Sequence, residues 1–141
     1  MMAKELLIRA GWFDGRKVAI QDQIAAIRSG GFAVWPGLDS VLAAYCFLVI
    51  ADAEGSRFLW IEPARAVAVV DPGWIFDYEK VLGVRLAPVG GYSHMTVMVG
   101  SDSAIYGGFD REFGRVGASF EDAVDGLLCA RPTVRLSMTL E

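Results

Sequence analysis

The hydrophobic period changes after Tyr45, and that change restricts the folds open to this chain. Up to Tyr45 the apolar residues recur at helical spacing; beyond it they gather in short runs divided by turn signals. Residues 4–10 read as a short helix with Leu6, Leu7 and Ala10 on one side and Gly11 placed for a left-handed cap. Residues 18–29 form a second, with Ile20, Ile24 and Ile27 in register and Gly30-Gly31 to stop it. A third starts at Pro36, whose missing N–H costs nothing in a first turn, and carries Leu38, Val41, Leu42 and Tyr45.

After Tyr45 the chain reads as hairpins. Residues 47–51 and 57–62 are rich in β-formers and enclose Asp52, Glu54, Gly55 and Ser56. Residues 64–70 fit either a strand or a helix. Asp71-Pro72-Gly73 marks a turn, and 74–82 reads as a helix closed by Gly83. Three short strands follow at 85–89, 94–99 and 104–106, the last two an antiparallel pair around Ser101-Asp102-Ser103. The final helix is the clearest: Ser119 caps it, Glu121 and Asp122 suit its positive end, and Phe120, Ala123, Val124, Leu127 and Leu128 make one stripe. Arg131-Pro132 ends it. The tail then alternates, with Val134, Leu136, Met138 and Leu140 on one side, as a strand with one buried face does. Helices first, hairpins next and no βαβ unit give an α+β fold, a mainly antiparallel sheet flanked by helices. The expected organisation is one domain over 1–141, with the strand at 133–140 as an addition to it; 141 residues suit a single core.

Apolar residues make up 54% of the chain and charged ones 21%, which is a folding composition. The mean hydropathy of +0.40 raises the question of a membrane. The longest apolar stretch, 41–51, is closed by Ser40 and Asp52 and falls short of the ~20 residues a span needs. Leu6–Ile8 is too short for a signal-peptide core and follows Glu5, so a cytoplasmic location is expected. Cys46 and Cys129 lie in apolar runs and read as buried thiols of a reduced compartment. A formal charge of −4 speaks against direct nucleic-acid binding and is compatible with a basic partner.

Candidate chemistry is sparse. His94, the sole histidine, reads as a surface or structural imidazole rather than a general base. No Cys/His spacing suits a metal, no serine sits in a Gly-x-Ser-x-Gly elbow, and no phosphate loop appears, so neither catalytic residues nor a cofactor is expected. The glycines at 107, 108, 114 and 117 read as turn formers between strands, and Asp110-Arg111-Glu112 as a solvated loop.

Ala10-Gly11-Trp12-Phe13-Asp14-Gly15-Arg16-Lys17-Val18 resembles the "AGW-x-x-GR-x-V" opening of the SUKH-3 group in the SMI1/KNR4-like superfamily. Leu86-Ala87-Pro88-Val89-Gly90, the strand pair ending in Ile105-Tyr106, and Gly117-Ala118-Ser119-Phe120 continue the resemblance in order, over about 4–130. The chain departs from it at Tyr45-Cys46-Phe47-Leu48, where members usually have Gly-Gly-Leu, and at Ser103, where a turn glycine is usual. The resemblance implies a cytoplasmic immunity protein that binds and neutralises a toxin, often a nuclease, encoded beside it. Gly11, Trp12, Gly15, Arg16, Pro88 and Gly90 match the family elements. Gly11, Trp12, Gly15 and Arg16 in its opening read as fold-determining, with Trp12 a core anchor, Gly15 a turn, and Arg16 a tie to a carboxylate or carbonyl.

Aromatic residues are enriched at binding hot spots, which brings forward Trp35, Trp74 and Tyr78 beside expected turns. Asp102 in its hairpin turn, with Asp110 and Glu112 in the acidic loop, are the remaining candidate toxin contacts. The terminal strand is expected to close an edge of its own sheet or to join a homodimer interface. Two other functions stay open: a binding or scaffold module without a toxin, and a small-molecule site around His94.

Overall fold

The computed structural model describes residues 2–129 and 136–141. Among these, six helices and seven strands follow in the order α1 (Ala3–Arg9), α2 (Gln21–Ser29), α3 (Leu38–Tyr45), β1 (Val49–Ala51), β2 (Phe58–Ile61), α4 (Pro63–Val69), α5 (Pro72–Leu82), β3 (Leu86–Tyr92), β4 (Met95–Gly100), β5 (Ile105–Phe109), β6 (Glu112–Gly117), α6 (Phe120–Leu128) and β7 (Met138–Thr139). The strands form one antiparallel sheet in sequence order, β1 to β7. The expected α+β fold with helices flanking an antiparallel sheet is what the chain adopts.

Helices cover both faces of the sheet. Leu59, Ile61, Val97, Val99 and Ile105 lie on one face by their register, all buried. On that side α6 packs against β6 and β2, α1 packs against α6 and β1, and α3 joins through the Tyr45 ring, stacked 4.1 Å from Phe120. The opposite face carries Trp60, Gly91, Met98, Gly108 and Phe113. There α4 covers β3, with α2 packed outside it, and the Tyr78 ring of α5 stacks 4.6 Å from Phe113.

Several boundaries differ from the sequence expectation for identifiable reasons. α2 starts at Gln21, because Val18 is drawn into an extended segment whose N–H bonds to the Ala43 carbonyl. α3 starts at Leu38, since Gly37 takes φ 100°, which a helix cannot continue through. The open segment 64–70 is helical, with Pro63 in its first turn. Gly107, Gly108, Gly114 and Gly117 lie within β5 and β6 and are not turn formers. Their lack of a side chain serves packing: a Cβ at 108 would come within 2.4 Å of the Tyr78 ring, and one at 117 within 2.5 Å of the Ala123 nitrogen. The supposed loop at 110–112 is a two-residue turn, Asp110-Arg111, and Glu112 already belongs to β6.

α6 ends at Leu128, before Arg131-Pro132, which lie outside the described residues, as do 133–135 of the expected terminal strand. From Leu136 onward the burial alternates, and Met138 and Thr139 pair with Phe113 and Glu112 at the edge of β6. Leu140 is also anchored, its N–H bonded to the Arg111 carbonyl.

Three arginines tie segments distant in sequence, and of these Arg111 donates its Nε–H to the Leu140 carbonyl (3.1 Å). Arg16 donates to the carbonyls of Ala44 (2.7 Å) and Cys46 (2.8 Å), fixing the opening loop to the end of α3. Arg57 pairs with the buried Asp52 across the β1–β2 turn (3.0 Å) and donates to the Leu127 carbonyl of α6 (2.7 Å). Burial opposes ionisation of Asp52, yet hydrogen bonds from the Arg57 and Ser56 backbone and side chains outweigh it and hold the carboxyl well below the usual range. Its stabilisation is therefore complete above the ordinary carboxylate value of about 4 and fades as pH falls through the lower folded value. Urea unfolding of wild type and Asp52→Asn should show a stability gap that is widest above about pH 4 and narrows in acid. A gap independent of pH would contradict this role.

Phe47 and Ser103, where the resemblance has glycine, keep left-handed backbones at φ 71° and 72°. At 47 this geometry carries the N–H to the Ile61 carbonyl while Cys46 and Leu48 stay buried. A left-handed non-glycine residue costs roughly 1–2 kcal/mol. Phe47→Gly removes that cost and adds unfolded-state entropy of about 1 kcal/mol, so the two nearly cancel. Phe47→Val puts a β-branched residue there and should lower the unfolding free energy by more than about 1 kcal/mol relative to Phe47→Gly. Equal stability of the two variants in urea would show that the strain is absent.

Candidate partner-binding surface

Two tight hairpin turns, Ser93-His94 and Asp110-Arg111, lie at the same end of the sheet. Each needs a positive φ at its first residue, taken by Ser93 (53°) and Asp110 (52°). The turns place the exposed His94 ring 5.8 Å from Phe109. The start of α5 faces them, begun by Asp71, which caps it by accepting from the Gly73 N–H (2.9 Å), and Pro72. Between α5 and the sheet lies a cleft of about 360 Å³ lined by Val69, Val70, Asp71, Trp74, Ile75, Tyr78, His94, Thr96, Gly108, Phe109 and Asp110.

This cleft brings together three of the six candidate contacts, Trp74, Tyr78 and Asp110. Their states differ. Tyr78 is only 1% exposed, and its hydroxyl donates to the Asp110 carbonyl. Burial, then the charges of Asp110 and Asp77, push that hydroxyl up to about 12. With its ring stacked on Phe113, Tyr78 is a core residue with almost no surface to offer a partner. Trp74 is half-buried against the core, with part of its ring open to the cleft. Asp110 is exposed.

The other three candidates lie elsewhere. Glu112 is exposed at the start of β6 and borders a separate opening with Tyr92, His94, Phe109 and Leu136. Asp102 sits in the β4–β5 turn, where its carboxylate accepts from the Ala104 N–H (3.1 Å) and the Tyr106 hydroxyl (2.6 Å). That carboxylate organises the turn, and Tyr106 is pushed up to about 12 by burial and by this bond. Trp35 is half-buried against the core, and its carbonyl receives the Leu38 N–H.

Of the residues matching the family elements, Gly11 and Gly15 adopt left-handed backbones at φ 109° and 82°, and Trp12 packs on the core. A bulge between Pro88 and Gly90 shifts the β3 register, and a Cβ at 90 would stand 2.0 Å from the Trp60 carbonyl.

The cleft offers apolar surface and a few carboxylates, an arrangement suited to holding a partner's side chain. Among the described residues no cluster of three or more His, Cys, Asp or Glu is placed to hold a metal ion. No helix of the described chain is long and apolar enough to cross a membrane. Cys46 is buried, and its thiol is pushed up to about 12, chiefly by that burial, which leaves it unreactive.

Two further surfaces are exposed without a signal in the turn pattern. The β1–β2 hairpin shows Phe47, Val49 and Phe58 to solvent, beside Trp60, which Arg65 covers at 4.1 Å. A groove of about 550 Å³ runs between α1 and α6, lined by Met2, Ala3, Lys4, Glu5, Ile8, Glu121, Asp122 and Asp125. Ile8 falls outside the Leu6/Leu7/Ala10 stripe, which is the one sequence sign of this groove.

The assignment of Tyr78 to the core can be measured. Tyr78→Phe should cost about 1 kcal/mol of stability through the lost hydrogen bond, and Tyr78→Ala about 3–5 kcal/mol through the lost ring. Urea unfolding of Tyr78→Ala at wild-type stability would contradict it.

The family model described as SUKH-3 immunity protein matches residues 2–129. No curated protein and no solved structure gives a significant match. The match spans every described element from α1 to α6, so the chain belongs to the SUKH-3 immunity protein family.

Proposed function

We propose that this protein is a bacterial cytoplasmic immunity protein that neutralises a cognate toxin by direct binding, and that the toxin is a nuclease. The observation that carries the reading is the family match over residues 2–129. The physical features agree with it. Acidic residues exceed basic ones by 17 to 13. Nucleases that hold nucleic acid present basic surfaces, and an acidic inhibitor is steered toward such a surface and competes for it. The clefts hold apolar and carboxylate groups, which suit recognition of a protein more than turnover of a small molecule.

The C-terminal domain of the protein encoded immediately upstream supplies the test. Expressed alone in a bacterial host it should stop growth, and co-expression of this chain should restore growth and yield a complex that co-purifies. Toxicity that this chain does not relieve would overturn the reading in favour of a scaffold module.

A further inference from the structure

We infer that the toxin docks on the groove between α1 and α6 through a basic amphipathic segment; this inference rests on the function proposed above. The groove is larger than the cleft at α5, and its apolar surface is open: Met2 is 70% exposed and Ile8 55%. Among the described residues four carboxylates, Glu5, Glu121, Asp122 and Asp125, rim it against one cation, Lys4, and Glu5 also accepts from the Met2 N–H (3.2 Å). Glu121, Asp122 and Asp125 are all exposed, so their charges reach any occupant.

The charge pattern selects that occupant. An apolar floor inside a negative rim is complementary to a segment with apolar side chains on one face and Lys or Arg on its flanks. A second copy of this chain would bring the same four carboxylates against the first four and be repelled. The cleft at α5 is a weaker choice, because it is smaller, has two carboxylates against four, and its Tyr78 hydroxyl is bound to the Asp110 carbonyl. The two helices of the groove pack on each other and on the sheet, so the surface is held in place before a partner arrives.

The full chain, its upstream toxin domain and three variants test this by calorimetry. Ile8→Lys places a cation on the groove floor. Glu121→Gln/Asp125→Asn removes two rim charges, and Asp14→Asn/Asp22→Asn removes two exposed charges elsewhere as a control for net charge. Melting temperatures confirm that each variant is folded. Both groove variants should weaken toxin binding by about tenfold or more, and the control by no more than about twofold. Wild-type-like binding by the groove variants overturns the groove assignment and leaves the toxin function intact. If wild type does not bind the toxin domain, the function falls, and a synthetic helical peptide with leucine on one face and lysine on the other decides the groove. Salt-sensitive binding to wild type and the control, lost in the groove variants, supports the site. No binding, equal binding to all variants, or a wild-type dimer that Ile8→Lys separates overturns it.

Discussion

Helices press on both faces of one antiparallel sheet, and the rest of the structure follows from the room this requires. An antiparallel meander commonly keeps one face in water; here α4 and α5 close the face that α1, α3 and α6 leave open. The close approaches fall where the strands have no side chain. The Trp60 ring occupies the space over Gly91, the Tyr78 ring that over Gly108, and the backbone at Ala123 that over Gly117. Gly108 and Gly117 thus set how near the helices come, Gly91 leaves room for a ring of its own sheet, and Tyr78, Phe113 and Phe120 fill what is left. With the core satisfied in this way, the surfaces that remain apolar are few and separate.

Polar groups inside this frame are spent on connection. Arg57 reaches from the first hairpin to the carbonyl end of α6, and Arg16 from the opening loop to the end of α3. Asp52 balances Arg57, while Asp102 serves the β4–β5 turn. Charges used for architecture are not available to a partner. On the described rim of the α1–α6 groove the charges are four carboxylates and one lysine, and of these Glu5 also accepts from the Met2 N–H. This separates an internally paired body from its negative, apolar-floored surfaces, of which the α1–α6 groove is larger than the cleft at α5.

Much of the fold was legible because its signals are local. Helical period, the Ser119 cap and Gly83 placed α1, α2, α3, α5 and α6 to within a few residues, whereas 64–70 stayed open between strand and helix, and the turn signal Asp71-Pro72-Gly73 is the cap and first turn of α5. The later strands were less so, for a physical reason: glycine reads as a turn former, yet at 108 and 117 it makes room in strands for the neighbouring helices, and at 107 and 114 for Met95 and for residues 136–137. Nothing in the local sequence distinguishes those uses. Arg16 could be read as a tie to a carboxylate or carbonyl because of its motif, and two carbonyls take it, whereas the partnership of Asp52 with Arg57 needed the hairpin to bring them together. Candidate contacts chosen as aromatics beside turns met the same limit. Trp74 and Asp110 do share a cleft, but Tyr78 beside them is core, and Asp102 serves its own turn. The α1–α6 groove is assembled from chain segments more than a hundred residues apart, so only the packed structure reveals it.

The function proposed above, together with a net negative rim and a pre-formed groove, leads to one mode of action: occlusion by a tightly held complex. Titration calorimetry of the purified chain with the upstream toxin domain tests that most directly. The account predicts a one-to-one complex whose affinity falls as salt is raised and whose formation abolishes the toxin's activity. Purified partners that do not bind, or that bind while the toxin stays active, would contradict it.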